Sequence, residues 1–233
     1  MEINKQEFKS FLSDIGVTHL HHANTVLTAC SFIKCGGLLS RGAVEHLGLK
    51  QTPQDSDDID KQFGVWDDIF LDSVDLHDLF PRQNLYGPVV FKFSLDVLDH
   101  EELPVIWITK DNPIRWTKEQ SPEQRYFKDI TELKDSYSLG SYQEMITLRS
   151  THSPLPFSPF LEEIILDNPG LAVSDVSLFK EAGNILKQAL KESDFDYSHV
   201  KLTTRKCKKS PCYCRDNYLK QYGADKLKLF FLN

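Results

Sequence analysis

The chain has 233 residues, of which 40% are hydrophobic and 26% charged, with a net charge of −7. That make-up suits one globular domain, at most with a small appendage, and excludes a disordered, collagen-like or disulfide-stapled chain. The charge is uneven: nine Lys/Arg face two Asp/Glu between Lys201 and Leu229, so the rest of the chain is strongly acidic, a pattern that suits either an anionic partner such as nucleic acid or a solvated tail.

In chain order, Phe8, Phe11 and Leu12 recur at near-helical spacing and predict a short amphipathic helix within residues 3–15. Val17 to Leu20 reads as a brief strand. Asn24 is the expected cap of a helix reaching about Lys34, which Gly36 and Gly37 end because glycine accepts the left-handed C-cap geometry. Residues 51–64, with Asp55, Asp57, Asp58 and Asp60, read as an exposed acidic loop, and their spacing is not that of an EF-hand. Ile69 to Leu71 predicts a buried strand, and Val74 to Leu79 a turn of helix. Val89 to Phe93, Val105 to Thr109 and Met145 to Leu148 predict further strands. The polar stretch 114–142 holds one expected short helix, Pro122 to Lys128. Glu163 to Leu166 is the last expected strand, closed by the turn residues Asn168, Pro169 and Gly170. Asp175 to Ser193 is the clearest helix, capped by Ser174 or Asp175, with Leu178, Ala182, Leu186 and Leu190 on its apolar face. A basic segment follows and ends in Leu227, Leu229, Phe230 and Phe231. Strands and helices without regular βαβ alternation predict an α+β fold. The expected division is a catalytic unit over 1–200 and a basic Cys-containing segment over 201–233, packed on it or extending from it.

No apolar run approaches about 20 residues, so no membrane span is expected. The start, Met1 to Lys5, lacks the layout of a signal peptide. Five cysteines at uneven spacing fit a reducing cytosol, so a cytoplasmic location is expected.

Three groups of residues are able to carry chemistry. His19, His21, His22, Asn24 and Thr25 crowd a strand-to-helix junction. They read as a metal site, as structural hydrogen-bonding groups, or as a pocket for hydroxyls and phosphates; no matching ligand motif follows, and no metal is expected. Glu144 heads an apolar strand, where a carboxylate needs a partner or a function. Cys30 and Cys35 read as core thiols. Cys207, Cys212 and Cys214 leave two readings open, a metal site completed by one histidine or exposed thiols acidified by neighbouring lysines.

The order of these parts resembles DarT-type ADP-ribosyltransferases. Val17-Thr18-His19-Leu20-His21-His22-Ala23-Asn24-Thr25, a helix, and then Gly36-Gly37-Leu38-Leu39-Ser40-Arg41 is similar to that family's opening. The family reads tyrosine-histidine-isoleucine-threonine-histidine, asparagine-leucine, a short helix and a glycine-leucine-leucine run. Gln143-Glu144-Met145-Ile146-Thr147, followed by Pro156-Phe157 and Phe160 to Leu166, is similar to its catalytic-glutamate strand and the next strand. The likeness spans roughly residues 15–195. His21 stands where the family has threonine, and the family's arginine-bearing stretch does not align.

The resemblance implies an ADP-ribosyltransferase-like split, mixed β-sheet core with flanking helices and NAD in its cleft. It implies transfer of ADP-ribose from NAD to a base of single-stranded DNA or RNA, by a toxin or phage-defence effector paired with an antitoxin protein. Glu144 is then the catalytic carboxylate that steadies positive charge on the sugar. His19 bonds the ribose of NAD, and His22, Asn24 and Thr25 line the same pocket. Arg41 is the first candidate for the cation at the pyrophosphate and Arg82 the second, while Tyr86 stacks on nicotinamide. Residues 116–142 are the expected target-selecting loop. Arg205, Lys206, Lys208, Lys209 and Arg215 hold nucleic-acid phosphates, with Tyr213 or Tyr218 stacking on bases. The alternatives are the same fold acting on a protein, or an inactive nucleic-acid-binding module.

Overall fold

The computed structural model describes residues 1–79, 85–137, 139–140, 143–205 and 213–232. Helix α1 (Lys5–Asp14) is capped by Asn4, whose side chain accepts from the Gln6 and Glu7 amides, and it buries Phe8, Phe11 and Leu12 as its spacing predicts. Strand β1 (His19–Asn24) is longer than expected and takes in the whole histidine cluster. Helix α2 (Val26–Cys35) therefore starts one residue late: Thr25, not Asn24, is its cap, and Asn24 is the last residue of the strand. Gly36, at φ 70°, ends the helix. A short β2 (Gly37–Leu38) and α3 (Arg41–His46) follow, the latter capped by the Ser40 hydroxyl.

The acidic stretch is not a loop throughout, for α4 (Asp57–Gln62) forms in it. Three aspartates in its first turn suit the positive end of the helix. Next come β3 (Ile69–Leu71), α5 (Leu76–Leu79), β4 (Val89–Ser94) and β5 (Ile106–Ile108). The polar stretch before Glu144 holds α6 (Pro122–Arg125), as expected, and a second helix, α7 (Ile130–Ser136), capped by Asp129. Then follow β6 (Ile146–Leu148), β7 (Leu155–Pro156), β8 (Leu161–Asp167) and the pair β9 (Ala172–Val173) and β10 (Val176–Ser177). Ser174 and Asp175 are not helix caps. Both have positive φ, 51° and 65°, and form the two-residue turn of that hairpin. Ser177 caps α8 (Leu178–Glu192) instead.

Glu163 to Leu166 is not the last strand either. The chain returns through β11 (Lys201–Arg205), which pairs parallel to β8, so the start of the basic segment is a sheet strand. Helices α9 (Tyr213–Gln221) and α10 (Ala224–Phe231) follow, and α10 buries Leu227, Phe230 and Phe231.

Two sheets dominate this α+β architecture. One has the order β1-β4-β8-β11 and is mixed, since only its β8–β11 pair is parallel; the other has the order β3-β6-β5. The core lies where α2 and α8 cover the first sheet. Phe91 stacks on Phe157 at 5.2 Å and meets Phe32 edge-on at 5.9 Å. Burying each such ring contributes about 1.5–3 kcal/mol. None of the described helices is long and apolar enough to cross a membrane.

Candidate functional site

A backbone bridge joins β1 of one sheet to the chain just beyond β3 of the other. His21 and Asp72 exchange both backbone hydrogen bonds, at 2.9 and 2.8 Å. On either side of this bridge there is a hollow. One is a narrow cleft of about 90 Å³, lined by His22 to Asn24 of β1, by Ile69, Phe70 and Asp72, and by Arg41, Asp60, Tyr86, Asn112 and Met145. The second, wider at about 380 Å³ and more open, is lined by His19, His21, Ser73, Asp75, Asp78 and neighbours. The second is of the size that holds small-molecule ligands, and the cleft beside it is narrower.

The structure thus brings His22, Asn24, Arg41 and Tyr86 to one cleft but places His19 in the adjoining hollow. There the His19 ring lies 2.8 Å from the Thr18 hydroxyl and 3.1 Å from the Glu162 carboxylate. Thr25 lines neither. It is fully buried, its hydroxyl accepts from the Thr28 amide, and it sits 2.7 Å from the Thr52 hydroxyl, because it is needed as the α2 cap. His22 is present but already engaged. Its Nδ1–H donates to the Phe70 carbonyl at 2.8 Å, which leaves Nε2 to accept from Asn24 at 3.3 Å. Burial pushes its pKa down to about 4, so it is a neutral wall of the cleft. Burial likewise lowers His21 to about 4, and its Nδ1 is buried with no hydrogen-bond partner among the described residues.

Arg41 is held by its own surroundings. Its Nε lies 2.7 Å from one Asp57 oxygen and an NH2 nitrogen donates to the other at 2.8 Å and to the Thr52 carbonyl at 3.1 Å. The guanidinium also lies over Trp66, 5.2 Å from the ring centre. The NH1 nitrogen alone is left for an anion: it is buried and has no hydrogen-bond partner among the described residues. Arg82 lies outside the described residues.

Glu144 lies in the bend just before β6 and is among the lining residues of neither hollow. Buried Thr109 clamps the chain on both sides of it, donating its hydroxyl to the Gln143 carbonyl at 2.6 Å and accepting the Met145 amide at 2.8 Å. Tyr137 donates its hydroxyl to Ser73, a wall of the second hollow. Burial raises the Tyr137 pKa, and the charges of Glu144 and Asp72 push it the same way, so both carboxylates lie within electrostatic reach of one hydroxyl.

Sequence reasoning missed the cleft's aspartates. Burial pushes Asp60 and Asp68 up to about 6 and Asp72 to about 7, the last with help from the charge of Asp75. Asp68 is steadied by Arg149 at 2.6 Å and Asp60 by the Ser56 hydroxyl at 3.1 Å. Three aspartates in the first turn were the available signal for α4, and hence for Asp60 facing inward. Asp72 follows a buried strand directly, but only the sheet-to-sheet bridge makes it part of a site.

Of the expected phosphate-binding set, Arg205 is displaced. Arg205 is committed inside the protein, 2.7 Å from Asp167 and 2.7 Å from Asp75. Tyr218 is fully buried with its hydroxyl on Asp167 at 3.1 Å, so it is not a base-stacking ring. Arg215 is exposed on α9 and Tyr213 is half exposed. Lys206, Lys208, Lys209, Cys207 and Cys212 lie outside the described residues. Cys214 is buried and hydrogen-bonded to His77, not an exposed thiol. Cys30 and Cys35 are half-buried core thiols, and burial pushes Cys30 up to about 11. Among the described residues no group of three or more His, Cys, Asp and Glu side chains is arranged to hold a metal ion. Comparison with known protein families finds no match, and no curated protein is similar to this chain.

Proposed function

We propose that the protein is an NAD-dependent ADP-ribosyltransferase that modifies a base of single-stranded nucleic acid. One observation carries this reading: two hollows adjoin at the His21–Asp72 bridge between the sheets, one lined by His22, Arg41 and Tyr86 and the other by His19. A dinucleotide has two nucleoside ends joined by a pyrophosphate, which suits two adjoining hollows better than a compact metabolite does. The resemblance of the His19–Thr25 and Gln143–Thr147 segments to DarT-type enzymes supports the same ligand.

In this reading the residues divide the work. NAD supplies an ADP-ribosyl group on a cationic leaving ring. His19 bonds a ribose hydroxyl from the second hollow, and Tyr86 packs against the nicotinamide in the cleft. Arg41 offers its NH1 to the pyrophosphate. Glu144, held by the Thr109 clamp just ahead of β6, stabilises positive charge as it grows on the sugar, where a preorganised carboxylate contributes most. The acceptor class rests on the excess of basic residues after Lys201.

The test is incubation of the purified chain with NAD and with single-stranded DNA and RNA of mixed sequence, read by mass spectrometry. The expected result is an ADP-ribosyl adduct on one oligonucleotide and nicotinamide in solution, both lost in Glu144→Gln. A chain that leaves NAD intact overturns the reading. An adduct on protein alone overturns the choice of acceptor.

A further inference from the structure

We propose that a hollow walled by α3 and α4 seats one nucleotide of the acceptor strand, with its base stacked on Trp66 and its phosphates held by Lys50 and Lys61. The inference deepens the transferase reading above, on which the choice of a nucleic-acid strand rests.

This third hollow, about 510 Å³, is bounded by α3, by the loop that follows it and by α4. Its volume is in the range that holds a ligand of nucleotide size. Arg41 and Gln51 line both this hollow and the narrow cleft, so a strand seated here lies next to the cleft.

Core packing does not account for Trp66. Of the three tryptophans, Trp107 and Trp116 join one apolar cluster, whereas half-buried Trp66 joins none among the described residues and lines the hollow instead. Its position is nevertheless fixed. Its carbonyl accepts from the Gly42 amide at 2.9 Å, and its Nε1–H donates to Glu45 at 2.9 Å. Charged groups sit against the ring: the Arg41 guanidinium at 5.2 Å from its centre and the Lys61 ammonium at 4.2 Å. Asp57 anchors Arg41, but Lys61 is half exposed on a flexible stem. A base displaces such an ammonium readily, because every base has a π-face that stacks on an aromatic ring. Leu27, Leu49 and Pro53 give the rest of the hollow an apolar lining that suits a base.

The charges favour an anion. Both acids of the hollow are already engaged by the protein, Asp57 with Arg41 and the Gln54 amide, and Glu45 with the indole of Trp66. The lysines are not. Lys50 is exposed and makes no ion pair among the described residues. Lys61 has a 3.7 Å pair with exposed Glu45, of a kind that contributes little in water. A flat ring that carries phosphate satisfies Trp66 and the lysines together. A single strand presents such a ring unstacked, whereas a duplex keeps its bases stacked on one another.

The experiment measures the binding of short fluorescein-labelled single strands of mixed-sequence DNA and RNA to the full chain, by anisotropy and without NAD. It compares wild type with Trp66→Ala, Trp66→Phe, Lys50→Gln and Lys61→Gln. Trp66→Ala is expected to weaken binding by roughly 5–150-fold, and Trp66→Phe by much less, because a stacking ring remains. Each lysine variant is expected to lower the log–log salt dependence of binding by about 0.7. Lys50→Gln changes only an exposed, unpaired side chain, so it decides the matter even if Trp66→Ala does not fold. A bromouracil-substituted strand, irradiated on wild type, is expected to form its adduct on the peptide that contains Trp66. Wild-type affinity and salt slope in Trp66→Phe, Lys50→Gln and Lys61→Gln, with an adduct confined to residues after Lys201, overturn the site. So does a wild-type chain that binds neither strand. In both cases the transferase reading stands if the chain still consumes NAD. A strand that binds at Trp66 of a chain that leaves NAD intact supports the site and overturns the transferase reading.

Discussion

His77 and Asp167 form a buried ion pair, with Nδ1 2.7 Å from Oδ2, and it ties the end of the chain to the body of the fold. Asp167 ends β8, and its second oxygen takes Arg205 from β11. Tyr218 of α9 donates to it, and His77 of α5 also bonds Cys214. Elements far apart in sequence are thus held by two cations and two carboxylates, the fourth member being Asp75.

Burial opposes the charge on His77, but its hydrogen bonds to Asp167 and Cys214 and the charge of Asp167 outweigh that, and its pKa is raised to about 9. The stabilisation is complete below the unfolded-state value of about 6.5 and is lost as pH rises through 9. Urea midpoints should therefore fall between pH 6.5 and 9.5, by on the order of 3 kcal/mol in total. His77→Gln should be less stable at pH 6 and show a flatter profile. A His77→Gln profile as steep as that of wild type would assign the slope to another group.

Arg205 and Arg215 should separate cleanly. Arg205→Ala leaves Asp167 and Asp75 under-compensated in the interior and should cost about 3 kcal/mol or more, read by urea unfolding. Arg215→Ala on the exposed face of α9 should change stability by less than about 0.5 kcal/mol. If α9 contacts a single strand, Arg215→Ala lowers the salt dependence of binding by about 0.7 in log–log slope. An unchanged slope removes Arg215 from the interface.

Arg41 joins α3 to α4 through Asp57 and packs on Trp66. Arg41→Ala should destabilise by about 1.5–3 kcal/mol, as for a charged hydrogen bond lost. It should also raise the NAD concentration needed for half-maximal rate more than it lowers the maximal rate. Arg41→Lys should rescue little, because an ammonium cannot reproduce the two-pronged contact with Asp57. Calorimetry with NAD checks the binding arm.

Thr109 tests how Glu144 is held. Thr109→Val keeps the shape but leaves the Gln143 carbonyl and the Met145 amide without their partner, at a cost of about 1–3 kcal/mol. The expected kinetic signature is a lower kcat at nearly constant KM, because the carboxylate shifts while the two hollows stay intact. A rise in KM alone would mean that Thr109 shapes the hollow instead.

The local elements were legible where one short segment carried its own reason. Phe8, Phe11 and Leu12 mark α1, and Gly36 marks the end of α2, because helix periodicity and left-handed backbone are properties of a few neighbouring residues. Val89 to Phe93 marks a buried strand in the same way. The missed element β11 is polar, Lys201-Leu202-Thr203-Thr204-Arg205, and pairs only on one edge, so no apolar pattern announced it.

Sequence alone determined that this is an α+β chain with a histidine-rich strand and a glutamate heading another, since those features are written in consecutive residues. Only the tertiary structure decided which of them meet. It set His19 and His22 in different hollows, turned Arg205 and Tyr218 inward onto Asp167, and put Asp72 on the wall of the cleft with His22. The reason is that a charge buried in the fold must find its counter-charge wherever packing places one. Strand pairing, not proximity along the chain, decides which groups share a cleft.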